Sequence, residues 1–156
     1  MRAVQTFEVS LKAFIVHDGR ALFVREADTG WWELPGGRID VGEEWEAHAA
    51  ILAREIREEL GPAFQPSFGP EAVTWTRERP TDGGFVFLVA RIGRAAGGEP
   101  ALSGEHTELA WLDPDASSRL QFPPRSGYRD AVAALWRIVG LFAALGLAAL
   151  ALPHGL

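Results

Sequence analysis

Three glutamates stand together in the run Arg54-Glu55-Ile56-Arg57-Glu58-Glu59-Leu60-Gly61. In a helix, residues three and four apart share a face, so Glu55, Glu58 and Glu59 point the same way. Carboxylates at that spacing repel by roughly 0.2–0.5 kcal/mol per exposed pair. A hard divalent cation, Mg²⁺ or Mn²⁺, turns the repulsion into coordination by oxygen. Upstream, the pair Gly36-Gly37 lets the backbone approach closely and present its carbonyls. Taken alone, the glutamate run also fits a solvated helix in which Arg54 pairs with Glu58.

The elements that must position these groups follow from local pattern. Phe7 to His17 reads as a strand, Asp18-Gly19 as a hairpin turn and Arg20 to Glu26 as the return strand. Ala27 to Gly30 is a loop, Trp31 to Leu34 a short strand, and Pro35-Gly36-Gly37 breaks regular structure. A long helix is expected over about Glu44 to Leu60, with Ala49, Leu52, Ala53, Ile56 and Leu60 on its apolar face. Gly61-Pro62 ends it. Val73 to Glu78, Phe85 to Ile92 and Leu109 to Leu112 read as further strands. Asp113 to Gly127 reads as irregular, and a second helix begins near Tyr128. Strands with two well-separated helices predict one α/β sandwich around a mixed sheet.

Composition bounds the function. The 156 residues are enough for one domain, and 47% are hydrophobic, which supports a sizeable core. A formal net charge of -6 makes a nucleic-acid-binding surface the wrong default, so no nucleic-acid partner is expected. The chain has no cysteine, which excludes disulfides, thiolate metal sites and cysteine nucleophiles. Met1 to Ser10 lacks the pattern of a signal peptide, so a cytoplasmic location is expected.

Taken together, Gly37, Glu43, Arg54, Glu55, Ile56, Glu58, Glu59 and Gly61 resemble the Nudix box, G-x5-E-x7-R-E-U-x-E-E-x-G-U with U aliphatic. Two departures stand out. Ten residues separate Glu43 from Arg54 where the pattern has seven, so Glu43 keeps the spacing to Gly37 while Glu46 keeps the spacing to Arg54. Glu43, which follows Gly42 as in the motif, is the preferred match. Pro62 also replaces an aliphatic residue. The flanks Trp32-Glu33-Leu34-Pro35 and Ser103-Gly104-Glu105-His106 resemble segments of the same family, and the resemblance runs over about Phe7 to Ala134.

The resemblance implies a Nudix-type α/β/α sandwich and a hydrolase that cleaves a phosphoanhydride bond in a nucleoside diphosphate derivative with Mg²⁺ or Mn²⁺. Gly37, Glu55, Glu58 and Glu59 are the implied metal-site residues. Arg54 and Glu43 orient the glutamates, and Glu58 or Glu105 supplies the general base. Arg25, Arg38 and Trp32 are candidate substrate contacts, with Arg91 a further phosphate candidate. His48 and His106 read as structural rather than catalytic. The expected substrate is a nucleoside or deoxynucleoside di- or triphosphate, ahead of a nucleoside diphosphate sugar. A nucleotide-binding sensor that does not hydrolyse is the alternative of a different class.

The Nudix-like domain is expected over 1–139, followed by an apolar helical extension over 140–156. From Ile138 to Leu152 no side chain is charged. This stretch is somewhat short for a membrane span, which needs about 20 residues. A helix packed on the domain or at a homodimer contact is expected, ahead of a membrane-associated tail.

Overall fold

A computed structural model describes residues 1–146. Its strands are β1 (Glu8–His17), β2 (Arg20–Glu26), β3 (Trp32–Glu33), β4 (Pro66–Glu78), β5 (Phe85–Ala95) and β6 (His106–Leu112), and its helices are α1 (His48–Leu60), α2 (Pro114–Ser118) and α3 (Tyr128–Ala144). The six strands form one sheet in the order β3-β2-β1-β5-β4, with β6 also paired to β2. The sheet is mixed: β1 and β5 run parallel, and the other pairs are antiparallel.

Alternation along the strands divides the core in two. Leu11, Ala13, Ile15, Leu22 and Val24 face one way and pack with Ile51, Leu52, Ile56 and Leu60 of α1. Phe14, Ala21, Phe23, Leu88, Ala90 and Ile92 face the other way and pack with Tyr128, Ala131, Val132 and Leu135 of α3. One helix therefore covers each face, the expected α/β/α sandwich. Burying each large aliphatic of α1 is worth about 1.5–3 kcal/mol, so α1 is held by its apolar face despite its charged outer side.

Several boundaries differ from expectation. Helix α1 begins at His48, not Glu44, and residues 40–47 form turns. Glu43 N–H donates to Asp40 O at 3.1 Å and Glu46 N–H to Glu43 O at 3.0 Å, so this chain segment is spent on tight turns before the helix starts. The buried face of α1 includes Ile51, while Ala49 and Ala53 are only half-buried. Strand β4 starts seven residues early, at Pro66, through irregular pairing between Phe68 and Val73. The stretch expected to be irregular contains α2, started by Asp113, whose side chain accepts from Ala116 N–H, with Pro114 next.

Helix α3 continues through Gly140 to Ala144 without a break, and the rest of the apolar C-terminal stretch lies outside the described residues. No helix among the described residues is long and apolar enough to cross a membrane.

One departure from a regular sheet creates the site. Strands β1 and β2 pair only beside their turn, at Val16–Ala21 and His17–Arg20. They then diverge, and the segment after β3 takes the vacated edge of β1: Ala13 N–H donates to Pro35 O at 2.9 Å, Leu11 N–H to Gly37 O at 2.8 Å, and Ile39 N–H to Val9 O at 3.0 Å. The wedge is anchored from the other layer. Tyr128, fully buried, accepts from Leu34 N–H at 3.3 Å and stacks on Phe122.

Candidate active site

The glycine pair lies between β1 and α1, and each glycine makes a close contact there. At Gly36, where φ is +131°, a Cβ would fall 2.1 Å from Leu11 O. At Gly37 a Cβ would fall 2.1 Å from Glu55 Oε2, so the glutamate rests against the bare backbone. Glu59, one turn further along α1, accepts from Gly36 N–H at 2.8 Å. The Gly37 carbonyl already accepts from Leu11 N–H and from Ser10 Oγ at 3.2 Å.

Arg54 organises the outer rim. Its Nη2 lies 2.7 Å from Glu43 Oε1 and 2.9 Å from Glu55 Oε1, while Nη1 donates to Glu58. Glu43 Oε2 accepts from Asp40 N–H at 2.8 Å, which ties the enlarged loop to the helix. Glu58 is 58% exposed and turned toward Arg54, the pairing expected of a solvated helix. Glu55 and Glu59 instead line a cavity of about 670 Å³, a size suited to a nucleotide. Among the described residues no three acidic, histidine or cysteine side chains converge closely enough to hold a metal.

The cavity combines acidic and basic groups. Glu105 and His106 enter from the loop leading into β6, and Arg38 enters beside Gly37. Lys12 of β1, Glu33 of β3 and Arg77 of β4 line it as well. Arg77 Nη1 donates to Glu33 Oε1 at 2.6 Å, and Lys12 Nζ donates to Glu33 Oε2 at 3.2 Å. Burial pushes the Glu33 carboxyl up, but the two cations outweigh it and hold the group below the usual carboxylate range. Burial pushes Glu59 up to about 7, against the pull of Lys12 and Gly36 N–H. Glu55 is also raised, chiefly by burial. His106 Nε2 lies 3.9 Å from Glu59 Oε1, and burial, then Lys12, lowers its pKa.

The sequence-derived candidates therefore separate. Glu55, Glu59, Glu105, Gly37 and Arg38 meet at the cavity, and Arg54 with Glu43 supports them from outside. Glu58 does not line the cavity in this conformation. Arg38 is held by Glu8 at 2.8 Å. Arg25 is occupied elsewhere, by Glu108 at 2.7 Å and Gly30 O at 2.9 Å. Trp32 packs on the α3 side of the sheet and does not line the cavity. Arg91 and His48 are both tied to Glu71. His106, read as structural, does line the cavity.

Sequence reasoning passed over Lys12, Glu33 and Arg77. The signal for Lys12 was present: a lysine inside a strand of otherwise buried residues is seldom there without a partner. Nothing local marked Arg77, whose place depends on the pairing of β4 with β5.

Comparison with known proteins shows the family and the fold. The family model described as NUDIX domain matches residues 8–135. A "MutT-like protein" of Streptomyces ambofaciens is 38% identical over 111 residues, covering 70% of this chain and 66% of that protein. A "Putative 8-oxo-dGTP diphosphatase" of Bacillus subtilis (strain 168) is 32% identical over 105 residues, covering 67% and 64%. The chain thus spans just under two thirds of the length of these curated relatives. The crystal structure of a MutT protein from Methanosarcina mazei Go1 superposes with a TM-score of 0.71 at 23% identity, covering 89% of this chain and 99% of that one, a likeness of fold.

Proposed function

The chain belongs to the Nudix family, and from that premise we propose that it hydrolyses a phosphoanhydride bond in a nucleoside or deoxynucleoside di- or triphosphate, with Mg²⁺ or Mn²⁺ as cofactor. The observation that carries the reading is the position of Glu55 and Glu59, half-buried and buried on the wall of a nucleotide-sized cavity. The diphosphatase name of the Bacillus subtilis relative supports the same substrate class.

The donor set fits a hard cation. Glu55 and Glu59 offer carboxylate oxygens, and burial raises the pKa of both despite the nearby Arg54 and Lys12. Glu58 is the candidate third donor, brought in by turning away from Arg54, with the Gly37 backbone as a further candidate. When bound, the cation neutralises phosphate charge and makes water easier to deprotonate.

The chain supplies the rest. Gly36 N–H fixes one Glu59 oxygen. Arg54 fixes Glu55 and is itself fixed by Glu43. Glu105 lines the cavity and is the better placed general base, taking a proton from the attacking water. Arg38 adds positive charge at the rim. The assignment of a cytoplasmic location and any homodimer belong to the same reading.

The test is a panel of nucleoside di- and triphosphates and nucleoside diphosphate sugars, with products identified by phosphorus NMR. Metal-dependent cleavage of the anhydride supports the proposal. Saturable nucleotide binding without cleavage in either metal would instead identify a sensor.

A further inference from the structure

Lys12 is the one buried lysine of the sheet among the described residues, with its side chain only 8% exposed. Its strand neighbours Leu11 and Ala13 point toward α1, so Lys12 leaves the opposite face and reaches the fork between β1 and β2. An ammonium has three N–H donors. One goes to Glu33 Oε2 at 3.2 Å and one to Gly36 O at 3.1 Å. Among the described residues no acceptor takes the third, and the residue lines the cavity.

Its ion-pair partner is not its own. Glu33 faces two cations, and Arg77 holds it more closely, at 2.6 Å against 3.2 Å. One carboxylate is therefore shared by two cations, and Arg77 takes the shorter contact. Glu59 is linked to it across a single residue: Lys12 donates to the carbonyl of Gly36, and Glu59 accepts from its N–H. If Glu59 is engaged by a cation, it cannot also balance Lys12. A ligand that brings an anionic oxygen acceptor beside Glu59 takes the third N–H of Lys12.

We propose that Lys12 is a substrate-contacting residue whose third N–H donates to a non-bridging phosphate oxygen, beside the carboxylates Glu55 and Glu59. A lysine suits this role because it binds phosphate as a point charge that tolerates several oxygen positions. The identity of the anion rests on the proposed reaction; the shared carboxylate and the free donor do not. The competing role is indirect, with Lys12 acting through Gly36 to position Glu59. That role predicts a change in metal affinity without nucleotide, which direct contact does not.

The test uses the full chain with Lys12→Gln, which keeps a polar N–H donor but lacks the charge. Lys12→Met is the second variant, and thermal melting confirms that each is folded. Binding of an α,β-methylene deoxynucleoside triphosphate in Mg²⁺ is measured by calorimetry, and Mn²⁺ binding without nucleotide by electron paramagnetic resonance. Loss of one charge-assisted hydrogen bond predicts analogue binding weaker by about 10- to 100-fold. Mn²⁺ affinity stays within about twofold, below the range expected for disturbed support of a metal ligand. Unchanged analogue binding in both variants overturns the proposal, as does a parallel loss of Mn²⁺ affinity. A wild-type protein that binds the analogue but cleaves no nucleotide overturns the hydrolase reading and leaves Lys12 to be judged by the binding ratio.

Discussion

Arg54 Nη2 lies 2.7 Å from Glu43 Oε1, and the same guanidinium contacts Glu55 at 2.9 Å. Among the described residues no ion pair joins Arg54 to Glu46. The glutamate that keeps its distance from Gly37 is thus the one that reaches the arginine. The ten residues between Glu43 and Arg54 include turns before α1 starts at His48, and Glu55 and Glu59 still meet the glycine pair.

This pairing predicts an asymmetry between two nearby glutamates. Glu43→Gln removes the charge that holds Arg54 and should lower kcat/KM by about 10- to 100-fold, the usual cost of losing support for a metal ligand. Glu46→Gln, at an exposed position, should leave it unchanged. Steady-state kinetics on both variants decide, and equal losses would reject the assignment of Glu43.

Glu59 sets a pH dependence of stability. Its folded pKa of about 7 lies above the ordinary value of 4.5, so the folded state binds the proton more tightly than the unfolded chain. The associated stability is fully present below about pH 4.5 and is lost as pH rises through 7, by up to about 3 kcal/mol. Glu59→Gln should therefore melt higher than the metal-free wild type at pH 8 and match it at pH 4.5. Mg²⁺ should stabilise the wild type more at pH 8 than at pH 6. A melting difference between Glu59→Gln and the metal-free wild type that does not change with pH would contradict the buried placement.

The two glycines should fail differently. Gly36→Ala meets backbone, Leu11 O, and adopts a φ suited to glycine, so it should destabilise the fold by at least about 2 kcal/mol. Gly37→Ala meets the end of the Glu55 side chain, which can move aside. It should cost less stability but displace Glu55 and reduce turnover. Chemical denaturation and activity, measured on both, separate the two effects.

Glu105 and Glu58 are distinguishable by kinetics. As general base, Glu105 predicts that Glu105→Gln lowers kcat by about 10²- to 10⁴-fold with little change in the Mg²⁺ requirement. Glu58→Gln should instead raise the Mg²⁺ concentration needed for half-maximal rate, besides losing most turnover. The reverse pattern would exchange the two roles.

Much of the architecture was legible in sequence because local pattern and tertiary packing agree. The Asp18-Gly19 turn, the apolar face of α1 and the start of α3 at Tyr128 all follow from residues near one another in the chain. The clustering of Glu55 and Glu59 was legible for the same reason, since helix geometry alone places them together. What sequence did not carry was the consequence of long-range pairing. The fork between β1 and β2 arises because residues 35–39 displace β2 from the edge of β1, and only that displacement brings Lys12, Glu33 and Arg77 to one cavity. Trp32 and Arg25 lie away from the cavity for a related reason. Their chemistry suited a ligand, but strand β3 turns Trp32 toward α3, and pairing with β6 sets Arg25 against Glu108.

The central claim is that Glu55 and Glu59 make this cavity a site of metal-dependent phosphoanhydride cleavage. Its most direct test is product release from deoxynucleoside triphosphates in Mg²⁺, comparing wild type with Glu59→Gln, each with and without a chelator. The account predicts cleavage that the chelator stops and that Glu59→Gln lowers by at least about 100-fold, with the fold retained. Cleavage that survives in Glu59→Gln, or nucleotide binding by the wild type with no cleavage in Mg²⁺ or Mn²⁺, would contradict it.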